Sequence, residues 1–186
     1  MIAGRAVCAL LTLVCVSSCT QSDGSSDFRP TATIKDIMDS LVDPSADEIW
    51  ESVAEIVTAA GTEERRPQTD DEWKAVRRAA VRIVESTNLL QMPGRLVARP
   101  GEKSENPGIE LAPEQVNELI QADRRRFVTL AHDLHAAGVD ALTAIDDRDG
   151  AALFTAGEGL DRACENCHLV YWYPPGKAPK GGGSVR

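Results

Sequence analysis

The sequence predicts an all-α fold. Apolar residues recur three and four positions apart in four stretches between residues 30 and 173. Aromatic residues make up only 4% of the chain, and β-branched residues do not alternate in strand-like runs. Capping residues at the starts and Pro or Gly near the ends punctuate these stretches.

In the first stretch Ile34, Ile37, Met38 and Leu41 share one helical face. Asp43-Pro44 interrupts it, because proline cannot continue the hydrogen-bond ladder. Ser45-Ala46-Asp47-Glu48 then has a capping-box pattern that restarts a helix through Ile49, Trp50, Val53, Ile56 and Val57 to Gly61. The first helix is therefore expected to be kinked or split at Pro44. The second stretch starts near Thr69, with Asp70, Asp71 and Glu72 suited to a helix N-terminus, and its inner stripe is Trp73, Val76, Ala80, Val84 and Thr87. It stops before Pro93-Gly94. A long loop, 91–112, follows, and a loop of that length is expected to be functional or mobile.

The third stretch begins at Pro113. Val116, Leu119, Ile120, Phe127, Leu130, Leu134, Ala141 and Ile145 fall in one arc. They allow a helix of up to about 30 residues, with a bend expected at Gly138. His132 points away from that arc and His135 lies on its flank, which makes both surface residues. The fourth stretch follows Asp149-Gly150, with Leu153, Ala156, Leu160, Cys164 and Cys167 on one face.

That last face carries the chemistry. Cys164-Glu165-Asn166-Cys167-His168 is a C-x-x-C-H run, the attachment signature of a c-type haem. Each thiol can add to one haem vinyl group, and the adjacent histidine is placed to ligate iron. At spacings of three and four the three side chains share one side of a helix. Both cysteines lie on the stripe that faces the interior, so the haem would replace part of the core among the helices. Two other chemistries use such a pair. A thioredoxin-like thiol site belongs at a helix start after a strand, whereas this pair sits near the end of a helical pattern. Zinc wants four ligands, and the other histidines are only His132 and His135.

The N-terminus is an export signal. Arg5 precedes an apolar stretch, 6–16, that is too short to span a bilayer. Val16-Ser17-Ser18-Cys19 ends it, a lipoprotein signal in which Cys19 takes lipid and becomes the new N-terminus; the plainer alternative is cleavage near Ser18 with Cys19 left as a free thiol. Thr20, in place of aspartate, favours the outer membrane by resemblance to enteric sorting. Of the five cysteines, Cys8 and Cys15 leave with the signal, Cys19 takes the lipid, and Cys164 and Cys167 take the haem. None remains for a disulfide framework. The expected organisation is a signal peptide at 1–18, a polar tether at 19–29, one helical domain at 30–173 and a Pro-, Gly- and Lys-rich tail at 174–186. The formal net charge is −9 before cleavage, and cleavage removes one cation and no acid. Such acidity argues against a nucleic-acid partner and suits steered encounter with a basic redox partner.

With its haem motif close to the C-terminus of four helical stretches, the span from Thr31 to Tyr173 resembles the class II cytochromes c, the cytochrome c-prime family, in a lipoprotein form. The resemblance implies an antiparallel four-helix bundle with one covalent haem c in its core, thioethers at Cys164 and Cys167, and His168 as the proximal iron ligand. One branch of the family fills the sixth iron position with a methionine of the first helix and transfers electrons. The other leaves it empty and binds gases such as nitric oxide or carbon monoxide. Met38 lies on the inner face of the first helix and is the expected sixth ligand; Met92, beside Pro93, is the alternative. A basic residue common in the family shortly after the motif is replaced here by Leu169-Val170-Tyr171-Trp172-Tyr173. Those aromatics either cover a haem edge or close the bundle. The expectation is a periplasmic, lipid-anchored monohaem cytochrome that carries single electrons and needs no catalytic base or nucleophile. Its partners are a redox protein and the membrane, and a homodimer is left open. The second reading is a five-coordinate gas-binding haem protein. A zinc-binding or thiol redox lipoprotein is the alternative from another class. Lys35, Arg82 and Arg126 are the candidate partners of the haem propionates.

Overall fold

The computed structural model describes residues 27–59 and 61–173. The signal peptide, Cys19 and the tail expected at 174–186 lie outside the described residues, as does most of the tether. The described part is mostly helical, as the periodicity predicts. Its elements are α1 (Ile34–Ile37), a π-helical turn (Met38–Val42), α2 (Asp43–Ser52), β1 (Ala54–Thr58), β2 (Gly61–Arg65), α3 (Asp70–Leu90), α4 (Pro113–Ala122), α5 (Arg124–Asp146) and α6 (Gly150–Tyr171). Among the described residues no helix is long and apolar enough to cross a membrane.

Pro44 does not break the first helix. The chain widens into the π-helical turn just before it, and the Asp43 N–H reaches back five residues to the Met38 carbonyl. The wider turn accommodates a residue that has no N–H and whose ring would crowd the preceding turn. Pro44 then occupies the first turn of α2, where a missing donor is tolerated. The expected restart at Ser45 does not occur. Ser45 is fully buried inside α2, and its hydroxyl accepts from Arg82 Nε at 2.8 Å.

The helix also ends sooner than its apolar spacing suggests. Val53 is extended (φ −130°, ψ 134°), and residues 54–65 form an antiparallel hairpin in which Thr58 pairs with Gly61. A two-residue connection and a glycine at φ +132° close it. Ile56, Val57 and Thr58 are β-branched, and such residues favour the extended state.

α3 starts as expected. Thr69 accepts from the Glu72 N–H, and Glu72 Oε2 accepts from the Thr69 N–H at 2.8 Å, a reciprocal capping box. The third stretch is two helices, and the break is at Asp123 rather than Gly138. Asp123 leaves helical geometry (φ −140°, ψ 71°) and its carboxylate caps the Arg126 N–H at 3.0 Å. The break resets the apolar phase, which leaves Leu119 exposed. Asp149 caps α6 by accepting from the Ala152 N–H at 2.9 Å.

α5 packs on α3 and α6, and α2 packs on α3 and α6, so the helix contacts close a ring around the core. α4 rests against α5 and α6. Gly138 permits the close approach of α5 to α3: a Cβ there would lie 2.8 Å from Val84 Cγ2 and 3.4 Å from Ile83 Cγ2. Gly159 in α6 has no such neighbour, its nearest atom being Arg162 Nη2 at 3.9 Å.

These two glycines predict opposite signs. Gly138→Val should destabilise the fold by about 1–3 kcal/mol through overpacking. Gly159→Ala should stabilise it by about 0.5–1 kcal/mol, because helix propensity improves without a clash. Urea denaturation midpoints of the two variants against the parent protein test both.

Candidate haem-attachment site

α6 carries the motif on the face that its other apolar residues bury. Leu153 and Leu160 are fully buried on that face, and Cys164, Cys167 and Tyr171 continue it at spacings of four, three and four. Cys164, Cys167 and His168 are half-buried. They border two adjoining apolar cavities. The larger, about 110 Å³, is walled by Met38, Val116, Ile120, Phe127, Cys167, His168 and Tyr171, with loop residues such as Val97 and Leu111 on its outer side. The smaller, about 30 Å³, is walled by Met38, Val42, Leu130, Leu134, Cys164, Cys167 and His168. Met38, Phe127, Cys167 and His168 belong to both.

The predicted residues Cys164, Cys167, His168 and Met38 are thus brought together around the same cavities. Met92 is not. Its sulfur lies 3.2 Å from Arg95 Nη2, and it lines neither cavity. His132 is exposed, and His135 Nδ1 lies 3.1 Å from Thr87 Oγ1. That hydroxyl donates its proton to the Val84 carbonyl at 2.7 Å, so it accepts from the histidine. Of the three cations expected near propionates, Lys35 lies on the cavity wall, but its ammonium is shared by Asp39, Glu102 and Glu105 at 3.4, 3.3 and 2.9 Å. Arg82 is turned to Ser45 and Glu48, and Arg126 is exposed.

Two features of the site are sharper than the sequence reading, which leaves the loop as functional or mobile and Tyr171 among aromatics that cover a haem edge or close the bundle. The loop after α3 is the first. Its Leu96 and Val97 carbonyls accept from the Ile34 and Lys35 N–H groups, both at 2.9 Å, satisfying donors at the start of α1. Its far end is tied to α6 by the Leu111 N–H, which donates to the Trp172 carbonyl at 2.7 Å. Tyr171 is the second. Its ring meets Phe127 edge-on at 5.6 Å, and the periodicity of α6 could have found it by one further step. His168 is steadied by an edge contact with Trp172 at 5.0 Å.

The electrostatics hold both thiols in the protonated, weakly nucleophilic form. Burial pushes the Cys164 thiol up to about 12, with Asp43, Cys167 and Asp161 adding to it. Burial alone pushes Cys167 up to about 11. Burial also lowers the His168 pKa, favouring the neutral imidazole that can bind a metal. A redox-active thiol pair needs the reverse, a depressed pKa at a helix N-terminus or beside a cation. Among the described residues no group of three or more His, Cys, Asp or Glu side chains is arranged to hold a metal ion. Both cysteines are free, so no disulfide occupies the motif.

The donor set fits a covalently held haem: two thiols, a neutral imidazole and a thioether around one apolar space. The cavity volumes are smaller than the roughly 300–1,000 Å³ usual for ligand pockets, so a haem would need more room than these walls leave. The non-helical part of the larger cavity's wall is chiefly the loop after α3. No protein-family model, curated protein or solved structure matches this chain.

The raised thiol pKa values carry a prediction for protein made without haem. Alkylation by iodoacetamide at pH 8 should run at least ~100-fold slower than in urea-unfolded chain, because so little thiolate is present. Stability has the matching sign. The unfolded thiols lose protons first, so the fold should weaken as pH rises from about 8.5 toward the folded values. Rapid labelling of folded protein at pH 8 would restore the thiol redox reading.

Proposed function

We propose that this chain is an exported, lipid-anchored monohaem c-type cytochrome that carries single electrons in the periplasm, built as an antiparallel four-helix bundle of the cytochrome c-prime type. The four helices are α1–α2 with its π-helical turn, α3, α4–α5 and α6. The reading rests on one observation: Met38 and the Cys164-Cys167-His168 motif, from opposite ends of the described chain, border the same apolar cavities.

A haem held there would supply a one-electron iron couple. The chain's own residues do the rest. Cys164 and Cys167 fix the group by thioethers on one face of α6. His168 offers a neutral nitrogen, held by its contact with Trp172. Met38 presents a soft thioether from the opposite wall, a donor that favours the reduced iron and raises the potential relative to a second histidine. The apolar walls from α4 and α5 exclude water, which disfavours the extra charge of the oxidised state. None of this requires a general base or nucleophile, so the role is carriage rather than catalysis. The acidic surface supports a basic redox partner. The Val16-Ser17-Ser18-Cys19 signal supports a diacylglycerol anchor at Cys19, with the outer membrane favoured.

One measurement tests the central claims together. Intact mass of protein matured in a host with c-type haem machinery should lack residues 1–18 and carry one haem and one lipid modification. A bare polypeptide mass sinks the haem claim, and an unlipidated mature chain sinks the anchor. The ligand assignment has its own test. Met38→Ala should keep the haem, since the thioethers are on α6. It should turn a low-spin ferric spectrum high-spin, lower the potential, permit carbon monoxide binding and cost about 2 kcal/mol of stability. A parent protein that is already high-spin and five-coordinate makes Met38 a packing residue and the gas-binding reading the better one.

A further inference from the structure

Tyr171 is only 5% exposed, yet its hydroxyl has no hydrogen-bond partner among the described residues. A buried phenol without an acceptor is destabilising, and phenylalanine would pack against Phe127 equally well. The hydroxyl therefore calls for an acceptor that the chain does not supply. Two carboxylates and a carbonyl on the wall of the larger cavity each hold a donor of their own. Glu105 is paired with Lys35 at 2.9 Å, Glu110 Oε2 accepts from the Asn106 N–H at 3.1 Å, and the Trp172 carbonyl accepts from Leu111. The missing acceptor would come with the ligand.

Resting on the cytochrome reading above, we propose that the Tyr171 hydroxyl is the buried hydrogen-bond donor for a haem propionate. A c-type haem brings two carboxylates, and an apolar cavity must offer each a donor or let it reach water. Tyr171 lies three residues after His168, on the same side of α6 and on the wall of the cavity that His168 borders. Lys35 cannot take this role without giving up carboxylates, because three of them already share its one charge. A phenol supplies a donor without adding a second buried charge to be balanced. By drawing charge from the carboxylate, it stabilises the reduced iron. Tyr171 is thus a positioning and tuning residue, with no part in ligating the metal.

The test uses mature holoprotein carrying haem labelled with ¹³C at the propionate carboxyls. Redox-difference infrared spectra should show an isotope-sensitive carboxylate band that moves in Tyr171→Phe, accompanied by a lower midpoint potential and an unchanged low-spin visible spectrum. A merely structural tyrosine would leave the isotope-sensitive band in place. An unmoved band or an unchanged potential overturns the proposal, since the hydroxyl then has no propionate to bind. The failure of the cytochrome reading looks different: the parent protein would show no haem mass and no isotope-sensitive band at all.

Discussion

Burial of the inner face of α6 governs the rest of the molecule. Leu153 and Leu160 on that face are fully buried, and the helices that cover them are the ones whose walls continue past Cys164 and Cys167. Because the face is continuous, the hydrophobic drive that docks α6 also desolvates the motif. The thiols and the imidazole are carried into a mainly apolar setting, with the Asp43 carboxylate on the same cavity wall. Burial raises the thiol pKa values and lowers that of His168, so all three groups are held neutral. Neutral thiols are poor nucleophiles toward one another, and a neutral imidazole is a ready ligand. The same packing force therefore positions the donors and sets their protonation.

Opposite α6, the first helix reaches its geometry through Pro44. The proline cannot donate, and the chain responds with a π-helical turn rather than a break. Met38 opens that turn, and Met38, Val42 and Asp43 all border the smaller cavity. Such wide turns are frequent at functional sites because they re-aim side chains without ending the helix. Here the re-aimed side chain is the thioether proposed as the second axial donor. Arg82 holds the turn's far side by binding Ser45 and Glu48, at 2.8 and 2.7 Å.

Strong periodicity with a local cap was legible in the sequence. Thr69 with Glu72 marks the start of α3, and the α6 stripe is buried from Leu153 to Leu160 and half-buried at Cys164 and Cys167. Elements decided by competition between local signals were not. Ser45-Ala46-Asp47-Glu48 satisfies the capping-box pattern, but tertiary burial of Ser45 against Arg82 keeps it inside a helix. The apolar residues after Trp50 fit a helix and a strand alike, and the extended geometry of Val53 commits them to the hairpin. Asp123 outweighs Gly138 as a breaker because its carboxylate caps the next helix, while Gly138 serves close packing against Val84. At the site, the α6 motif and Met38 were legible because one helix face declares itself. The loop wall was not, since its contribution runs through backbone carbonyls that no side-chain pattern encodes.

That loop wall couples the cavity to the first helix. The Leu96 and Val97 carbonyls hold the Ile34 and Lys35 N–H groups, one turn before Met38. Arg95 ties the loop further, donating to the Ala32 and Leu89 carbonyls. The Lys35 ammonium adds carboxylates from Glu102 and Glu105 on the loop and Asp39 on the π-helical turn. Each such exposed ion pair contributes little alone, but here one cation joins the loop to the turn that carries Met38. On the cytochrome reading, room for the macrocycle would come from displacing this loop, and displacement would strain the bonds at the start of α1. The position of Met38 is then set jointly by the group it would ligate and by the loop that covers that group. A rigid wall would leave the sixth donor indifferent to occupancy of the cavity. A loop anchored on the donor's own helix would make haem attachment and ligation by Met38 parts of one structural change.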